Sequence, residues 1–377
     1  MKFAFKPHLI DTTLPPGNYA QTALADLDND GRLEYVVGQQ YGDIFRYTME
    51  KPDRWTRRLL GADSPSDVGG VALDVDGDGW IDFVAGGAWY RNSRDPETPF
   101  TRFTFDPALK GVHDVVAADL DGDGKLEILT MSDQNDARWH KIPDDPTAPW
   151  PMHPIGPAVH AGLSVGDLNG NGHLDVVRTD LWFENVDGSG TIWAQHPIGP
   201  NTPPPPDFQP YFAFDATYSV ICDMNGNGSN DIVFTDAEIP GGKIWWMENV
   251  NGEGLTWVRH DITIWDPDRE PRRGAYHSLF VGDLDGDGDL DLLSCEMEAV
   301  GGDAPPRWYI WENLDGRGGA WQEHVILDAN LGGHAAVVGD LTGNGLLDVI
   351  AKPWRAQETN ALGGKTYVLF LENQSTR

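Results

Sequence analysis

Three features are scarce in this chain of 377 residues. It has two cysteines, no apolar run long enough to cross a bilayer, and 27 Lys and Arg against 59 Asp and Glu. Two cysteines exclude a disulfide framework, and we expect Cys222 and Cys295 to be buried free thiols. Without an apolar run of about 18 residues, no membrane-spanning helix is expected. The formal net charge of −32 argues against nucleic acids and anionic membranes as partners.

What the chain does have is one acidic unit that occurs seven times. Each copy carries Asp, Asn or Thr at its first, third and fifth positions, Gly at the sixth and a carboxylate at the ninth. When the chain turns at the glycine these oxygens converge, and Ca²⁺ takes six to eight oxygen ligands. The predicted calcium ligands, copy by copy, are Asp26, Asp28, Asp30 and Glu34; Asp74, Asp76, Asp78 and Asp82; Asp119, Asp121, Asp123 and Glu127; Asp167, Asn169, Asn171 and Asp175; Asp223, Asn225, Asn227 and Asp231; Asp283, Asp285, Asp287 and Asp291; and Asp340, Thr342, Asn344 and Asp348. Asp-Gly and Asn-Gly also favour plain turns, an alternative that weighs most in the fourth, fifth and seventh copies.

The residues around each acidic unit predict four short strands. Apolar runs flank the unit on both sides, an aromatic run ending in Glu-Asn follows in most copies, and a run with His comes last. Four antiparallel strands repeated every 45 to 60 residues are typical of propeller blades. We therefore predict an all-β, seven-bladed β-propeller formed as a single domain by residues 1–377. The last copy lacks a fourth strand, so the N-terminal strand within residues 1–13 is expected to complete blade seven and close the ring.

The eleven histidines fall into two groups. His8, His153, His196, His260 and His324 occupy one position of the fourth strand, and we interpret them as structural. His113, His277 and His334 each lie six residues before the first Asp of an acidic unit, and His160 lies seven before. In a propeller that offset places all four beside the axis, at the end of the channel opposite the acidic units. Tyr218 and Tyr276 are close to them in sequence.

Three interpretations of these channel histidines stay open. His113, His277 and His334 could hold a transition metal such as Zn²⁺, because three imidazoles with an open position form a catalytic zinc site. They could act without metal as general acid and base, or they could be hydrogen-bonded structural residues in a watery channel.

Loops after the second strands are expected to surround the histidines with amides, acids, bases and indoles, a lining that suits a sugar. These loops are Gln39–Tyr41, Trp89–Tyr90, Ser132–Gln134, Arg178–Asp180, Asp236–Glu238, Glu296–Glu298 and Lys352–Arg355.

The acidic units and the blade pattern resemble the FG-GAP or VCBS-repeat propellers, the family of the integrin α-subunit heads. The resemblance covers essentially the whole chain and implies a seven-bladed propeller with calcium in the hairpins. Among enzymes, the chain is similar to the propeller of aldos-2-ulose (1,5-anhydrofructose) dehydratase, without its additional β domains, and then to rhamnogalacturonan-type polysaccharide lyases. Both carry out β-elimination on sugars. The same family also contains modules that only bind glycans or proteins.

The resemblance implies a carbon–oxygen lyase acting on a ketosugar or a uronate-containing saccharide, with one channel metal and several Ca²⁺ ions. On this hypothesis His160, Tyr218 or Tyr276 moves the proton, and Lys352 or Arg355 holds an anionic or carbonyl oxygen. The alternative is a calcium-stabilised propeller that binds a glycan or a protein without reaction. No leader precedes the first strand pattern, which predicts a cytoplasmic protein, or a secreted or periplasmic one if a leader has been removed.

Overall fold

The computed structural model describes residues 2–132, 134–199, 217–239, 241–263, 273–297 and 304–375, and within these ranges it is built from strands without a helix. No helix in these ranges could therefore cross a membrane. In chain order the strands are β1 (Phe5–Asp11), β2 (Tyr19–Ala25), β3 (Glu34–Gln39), β4 (Ile44–Lys51), β5 (Arg54–Gly61), β6 (Gly70–Leu73), β7 (Asp82–Ala85), β8 (Ala88–Arg91), β9 (Thr101–Thr104), β10 (Asp114–Ala118), β11 (Glu127–Met131), β12 (Ala137–His140), β13 (Met152–Gly156), β14 (Ser164–Gly166), β15 (Asp175–Arg178), β16 (Leu181–Asn185), β17 (Trp193–Pro197), β18 (Thr217–Cys222), β19 (Asp231–Asp236), β20 (Ile244–Asn249), β21 (Trp257–Asp261), β22 (Phe280–Gly282), β23 (Asp291–Cys295), β24 (Trp308–Asn313), β25 (Trp321–Leu327), β26 (His334–Gly339), β27 (Asp348–Lys352) and β28 (Val368–Asn373).

The strands form seven four-stranded antiparallel sheets, which confirms the predicted seven-bladed propeller. Blades one to six take four consecutive strands each, from β2–β5 to β22–β25. Blade seven has the order β26, β27, β28 and β1, so the N-terminal strand supplies its outer edge as predicted. In that pairing Phe5 lies opposite Asn373 and His8 opposite Phe370. The two ends of the described chain therefore pair with each other in blade seven, and this pairing covers the edge of β28 that would otherwise be exposed.

The first strand of each blade lies nearest the axis. Strand β2, for example, contacts β6 on one side and β26 on the other. Each first strand runs from the channel region to an acidic hairpin, because the acidic unit connects the first strand to the second. The two ends of these strands therefore carry two different surfaces, and the seven acidic hairpins all lie on one of them.

The repeated aromatic-Glu-Asn motif joins neighbouring blades. The indole Nε1 of Trp182 donates to the Gly254 carbonyl of the next blade at 2.8 Å. The Asn185 side chain donates to the Leu120 carbonyl of the preceding blade at 2.9 Å, and its backbone N–H donates to Asp175 at 3.0 Å. The indole bond recurs from Trp139 to Gly190 and from Trp246 to Gly318, and the amide bond recurs from Asn92 to Leu27 and from Asn249 to Leu168. The buried tryptophans pack between neighbouring sheets.

The fourth-strand histidines cover the outside of this aromatic layer. The His260 ring stacks on Trp246 with centroids 4.3 Å apart, and its Nε2 lies 2.8 Å from Glu248. Equivalent stacks pair His153 with Trp139 and His196 with Trp182. These contacts are structural, as the repeated position of the histidines indicates.

The two cysteines are free thiols, Cys295 buried and Cys222 half-buried.

Candidate functional site

All seven acidic hairpins adopt one backbone arrangement. The glycine at position six has φ between +81° and +95° in every copy, a left-handed conformation that side chains rarely tolerate. Its N–H donates to the first Asp of the unit at 2.8–3.1 Å in each hairpin. The N–H of the second residue donates to the carboxylate at position nine, also at 2.8–3.1 Å. The backbone therefore holds the first and ninth acids of every hairpin in equivalent positions.

Four of the hairpins bring three carboxylates close enough to share a cation. In each, one oxygen from every residue lies within 4.8 Å of the others. The groups are Asp26, Asp28 and Glu34; Asp74, Asp76 and Asp78; Asp119, Asp121 and Glu127; and Asp283, Asp285 and Asp291. The hairpins of blades four, five and seven offer two carboxylates each, because Asn or Thr fills the third and fifth positions. Their remaining ligands would be neutral oxygens.

The closing acids of the hairpins are buried, and burial changes their protonation. It raises the pKa of Glu34, Asp82, Asp231 and Asp291 to about 7. It raises the pKa of Asp175 to about 6. A carboxyl group with a pKa near 7 stays charged at neutral pH only at a free-energy cost. A divalent cation at the same point would offset that cost.

The opposite end of the channel carries a different set of residues, the channel mouth. It consists of five side chains, one from each of blades three to seven: His113, His160, Glu238, His277 and His334. Ring centroids lie 4.6 Å apart for His113 and His160 and 6.3 Å apart for His113 and His277. His277 and His334 stack at 3.8 Å. Oε1 of Glu238 lies 3.6 Å from Nε2 of both His160 and His277.

The backbone next to two of these histidines is strained. Ala275, two residues before His277, has φ +61°, and Ala335, directly after His334, has φ +50°. The Ala335 N–H donates to the His277 carbonyl at 2.9 Å, which ties the two blades together at this height. Left-handed conformations of residues with a Cβ are costly and cluster at functional sites. The strain places the imidazoles of blades six and seven side by side.

A buried lysine fixes the orientation of His334. Nζ of Lys352 lies 3.0 Å from Nδ1 of His334 and donates to the His334 carbonyl at 2.9 Å. An ammonium group only donates, so Nδ1 accepts and the neutral ring carries its proton on Nε2. Burial lowers the pKa of His334 well below its usual value, with further contributions from His277 and Lys352. Burial likewise lowers the pKa of His277.

The carboxylate of Glu238 is charged. Its pKa lies well below the usual range because the imidazoles of His160 and His277 donate towards it. At the channel mouth His113, Glu238 and His277 each offer one ligand atom, and these three atoms lie within 4.8 Å of one another. Neutral imidazoles with one carboxylate are a common donor set for Zn²⁺ and for Fe²⁺. Nδ1 of His277 is buried and has no hydrogen-bond partner within the described ranges. On both observations the residues present fit a transition metal.

The remaining sequence-predicted residues lie at different distances from this cluster. Tyr218 packs edge-on against His277, with centroids 5.2 Å apart. Tyr276 instead lies in the hydrophobic core beside Tyr309 and Trp311. Arg355 lines a cavity of about 390 Å³ at the channel mouth. The other lining residues are Gln40, Asp67, Val68, His113, His160, Glu238, Met297, His334, Trp354 and Gln357.

The surrounding loops match the sequence prediction unevenly. Gln40, Glu238, Met297, Trp354 and Arg355 line the cavity. Trp89 and Tyr90 are buried in β8 and do not line it. Asp133 and Glu298 lie outside the described residues.

Two contributions to the mouth were not assigned by sequence reasoning. The sequence predicts Glu238 in a surrounding loop and not among the metal ligands. Asp114 accepts from the backbone N–H groups of Gly162 and Leu163 at 3.0 and 3.3 Å, and so anchors the loop that carries His160. Its Oδ1 also lies 3.3 Å from Nδ1 of His113. Its position next to His113 in the sequence was the available signal.

Comparison with known proteins identifies the repeat. A family model described as an FG-GAP-like repeat matches residues 74–130 and 223–294. The chain thus carries FG-GAP-like repeats on a seven-bladed propeller. No curated protein matches it.

Several solved structures are similar to this chain. BBS1N in complex with ARL6DN, soaked with mercury, has 10% sequence identity and a TM-score of 0.57, with 99% of this chain and 98% of that chain covered. The NanB sialidase from Streptococcus pneumoniae has 11% identity and a TM-score of 0.47, with 97% and 70% covered. The Photorhabdus luminescens Tc holotoxin pore has 14% identity and a TM-score of 0.46. There the match spans 98% of this chain but 14% of the holotoxin chain. At 10% identity the likeness to BBS1N shows the fold alone.

Proposed function

We propose that the chain is a carbohydrate-active carbon–oxygen lyase, a sugar dehydratase or a polysaccharide lyase, with its reaction centre at the channel mouth. The observation that carries the proposal is the cluster of four imidazoles and one carboxylate beside a cavity of about 390 Å³. Repeat propellers need no such cluster for stability, since the hairpins and the aromatic layer hold the blades. Groups that give and take protons are what an elimination requires.

The cavity walls suit a sugar. Trp354 offers an aromatic face for the ring of a saccharide, and it is itself held 5.0 Å from the His334 ring. Gln40 and Gln357 offer amide groups for hydroxyls, and Arg355 offers a cation for a carboxylate or carbonyl oxygen. The volume accommodates a substrate the size of one or two sugar units. The favoured substrates are therefore a ketosugar and a uronate-containing saccharide.

The reaction is a β-elimination with defined roles for the mouth residues. His160 takes the proton from the carbon next to the carbonyl or carboxylate, and the Glu238 carboxylate stabilises the imidazolium that forms. The electron pair of the broken C–H bond moves onto the carbonyl or carboxylate oxygen and forms an enolate. As the enolate collapses, this pair forms the C=C bond to the β carbon, the C–O bond there breaks, and the leaving oxygen takes a proton from the His160 imidazolium. His334 donates from Nε2 to the negative oxygen of the enolate, and Tyr218 and Lys352 position His277 and His334.

We further propose that His113, His277 and Glu238 hold one transition metal such as Zn²⁺. When bound, such an ion polarises a carbonyl oxygen and so acidifies the neighbouring C–H group. This ligand set contains Glu238 in place of His334, which the sequence groups with His113 and His277. Nδ1 of His334 already accepts from Lys352, and Nε2 carries the proton of the neutral ring, so neither nitrogen is available to a metal. Its readout is the metal content of the protein, which does not depend on activity.

We also propose that the acidic hairpins bind several Ca²⁺ ions and that these stabilise the ring. Support comes from the converging oxygens of blades one, two, three and six and from the buried closing acids. Blades four, five and seven offer fewer charges, so we expect weaker binding there.

The test combines metal analysis with an elimination assay. Protein freed of calcium is expected to retain close to one transition-metal ion per chain. It should convert a ketosugar or a uronate-terminated oligosaccharide into an unsaturated product, followed by ultraviolet absorbance. His160→Gln should lower kcat by roughly 10²–10⁴ while the metal stays bound, because it removes proton transfer alone. His196→Gln is the matched control, a histidine of the same blade that pairs with Glu184 on the outer edge at 2.8 Å.

Two results would replace the enzyme by the alternative, a non-catalytic glycan- or protein-binding propeller. One is saturable binding of these saccharides without turnover. The other is a purified protein that contains calcium and no transition metal, with His160→Gln indistinguishable from His196→Gln.

A further inference from the structure

The acidic hairpin of blade three holds a lysine side chain where its cation would lie. Nζ of Lys141 is 2.7 Å from Oδ2 of Asp123 and 3.3 Å from Oε1 of Glu127, and it also bonds Asp121. These three acids stand at the third, fifth and ninth positions of the unit, which are the predicted calcium ligands. The Glu127 side chain is 1% exposed and that of Lys141 is 27% exposed. The ammonium group is therefore inside the ligand shell and not on its rim.

Blade six shows a related arrangement, in which a more exposed lysine from another part of the chain reaches one acid of the hairpin and a second acid, Glu312, in β24. Nζ of Lys2 lies 2.5 Å from both Oδ2 of Asp285 and Oε1 of Glu312. The Asp285 side chain is 2% exposed. Lys2 precedes β1, the strand that completes blade seven. Its ammonium group thus links the hairpin of one blade to the strand that closes the ring.

Blade one provides the contrast. Its hairpin has the same backbone bonds and three converging acids, Asp26, Asp28 and Glu34. Within the described ranges no lysine or arginine forms an ion pair with these three acids. Arg32 pairs instead with Asp30, at 2.7 Å, on the exposed side of the loop. Equivalent hairpins thus differ in whether a lysine of the chain pairs with these acids.

An ammonium group and a calcium ion cannot share the shell. Ca²⁺ requires oxygens at about 2.3–2.6 Å, and the lysine nitrogens already lie 2.5–3.3 Å from the same oxygens. A side chain tethered to the fold competes as if it were present at millimolar concentration. The lysine brings one charge and the ion two, so saturating calcium should still displace the lysine.

We propose that Lys141 and Lys2 are tethered counter-cations that hold the hairpins of blades three and six folded without calcium, and that calcium must displace them to bind. The proposal rests on the calcium role proposed for the hairpins. It divides the hairpins into two kinds. Blade one depends on the ion, whereas blades three and six have a substitute in the chain.

Lys141→Met is the direct test, because methionine keeps the length and apolar stem of the side chain. In EDTA this variant should melt lower than the wild type, by on the order of 2 °C. In saturating calcium the difference should vanish or reverse. One class of calcium site should bind on the order of fivefold more tightly by isothermal titration calorimetry, since the competitor is gone.

Lys125→Met is the matched control. Lys125 lies in the same hairpin and carries the same charge, but it pairs with Asp144 at the surface, with side chains 64% and 97% exposed. It should change neither melting nor calcium affinity measurably. Lys2→Met should behave as Lys141→Met does, independently of blade three.

Two patterns would overturn the proposal. If Lys141→Met lowers the melting temperature equally with and without calcium, Lys141 is an ordinary ion pair. If it lowers melting in neither condition and calcium affinity is unchanged, the contact has no role. NMR of ¹⁵N-labelled lysine gives a second measurement, in which one protected ammonium signal should disappear as calcium is added. A protein that binds no calcium, yet loses stability in Lys141→Met, would overturn the calcium role and leave the lysine as a permanent counter-cation.

Discussion

The acidic hairpins and the channel mouth lie at opposite ends of the same first strands, and they are built in opposite ways. The hairpins repeat one arrangement in seven blades, down to the glycine φ of +81° to +95° and two backbone bonds to acids. The mouth takes one side chain from each of five blades and repeats no contact. Repetition serves the fold, because every blade must close in the same way. On the proposed function, divergence at the mouth serves a site that needs several chemical groups around one point.

The two ends also differ in how burial affects charge. At the hairpins burial raises the pKa of closing acids such as Glu34 and Asp82, so a cation there would offset the cost of the buried charge. At the mouth burial lowers the pKa of His277 and His334, so the buried bases stay neutral. Neutral imidazoles can bind a metal or take a proton. Each end therefore has a distinct chemistry that can be changed without changing the other.

The largest effect should follow from opening the ring, because both the acidic hairpins and the channel mouth depend on the closed propeller. Deleting residues 2–13 removes β1 and exposes the whole edge of β28. An unpaired edge strand promotes aggregation, so we expect loss of soluble, cooperatively melting protein. A circular permutant that carries the same residues after β28 should restore folding. Unchanged melting of the deletion variant would contradict closure through β1.

Chelation should come next and should act through the hairpins alone. A ligand bound only by the folded state, at 100 times its dissociation constant, adds about 2.7 kcal/mol per site. Excess EDTA should therefore lower the melting temperature markedly, and added Ca²⁺ should restore it.

Two single variants sharpen the chelation experiment. Asp26→Asn in blade one should reduce the calcium-dependent part of the stability more than Asp167→Asn in blade four. The hairpin of blade one supplies more carboxylates than that of blade four, and its converging acids pair with no lysine in the described part of the chain. An EDTA scan that overlays the calcium scan would contradict the calcium assignment.

The mouth should respond to variants that leave the hairpins intact. His113→Ala, His277→Ala and Glu238→Ala should each lose the transition metal and at least about 100-fold in kcat/KM. Pairs of these variants should be little worse than single ones, since residues that act as a unit are lost together. Melting in calcium should change little.

His260→Ala is the control for the mouth variants. It removes an imidazole stacked on Trp246 and should affect neither metal content nor kcat/KM. Full metal content in Glu238→Ala would exclude the proposed ligand set.

The contrast between the two ends explains what the sequence could predict. The hairpins, the blade number and the closing strand all follow from a repeated pattern, so one copy informs the others. The sequence also predicts that His113, His277 and His334 lie at the same level along the channel axis, because each is six residues before the first Asp of an acidic unit. The side chains that contact these histidines could not be predicted from the sequence. Glu238 reaches the imidazoles from a loop whose conformation no repeat specifies, and Lys352 meets His334 only through pairing of β26 with β27. Tyr276 is next to His277 in the sequence, but its side chain lies in the hydrophobic core.

The smallest effect should come from pH, and it separates the two ends most cleanly. Burial raises the pKa of Glu34, Asp82, Asp231 and Asp291 to about 7, so the folded, metal-free chain holds these protons more tightly than the unfolded chain. Their contribution to the stability of the chelated protein is therefore favourable at low pH. It declines as the pH rises from about 4 to about 7.

Calcium must displace the same protons. Its affinity for the hairpin of blade one should consequently be about tenfold weaker at pH 6 than at pH 8, and that of blade four, where the pKa of Asp175 is about 6, only about twofold weaker. Calorimetric titrations at the two pH values measure this directly, with Glu34→Gln to identify the blade-one site. Burial lowers the pKa values of His277 and His334, so acidification from pH 8 to pH 6 should protonate these two mouth imidazoles less than ordinary histidines while calcium affinity falls. Equal calcium affinity at pH 6 and pH 8 would mean that the closing acids are ionised throughout, and that the cation is not what compensates their burial.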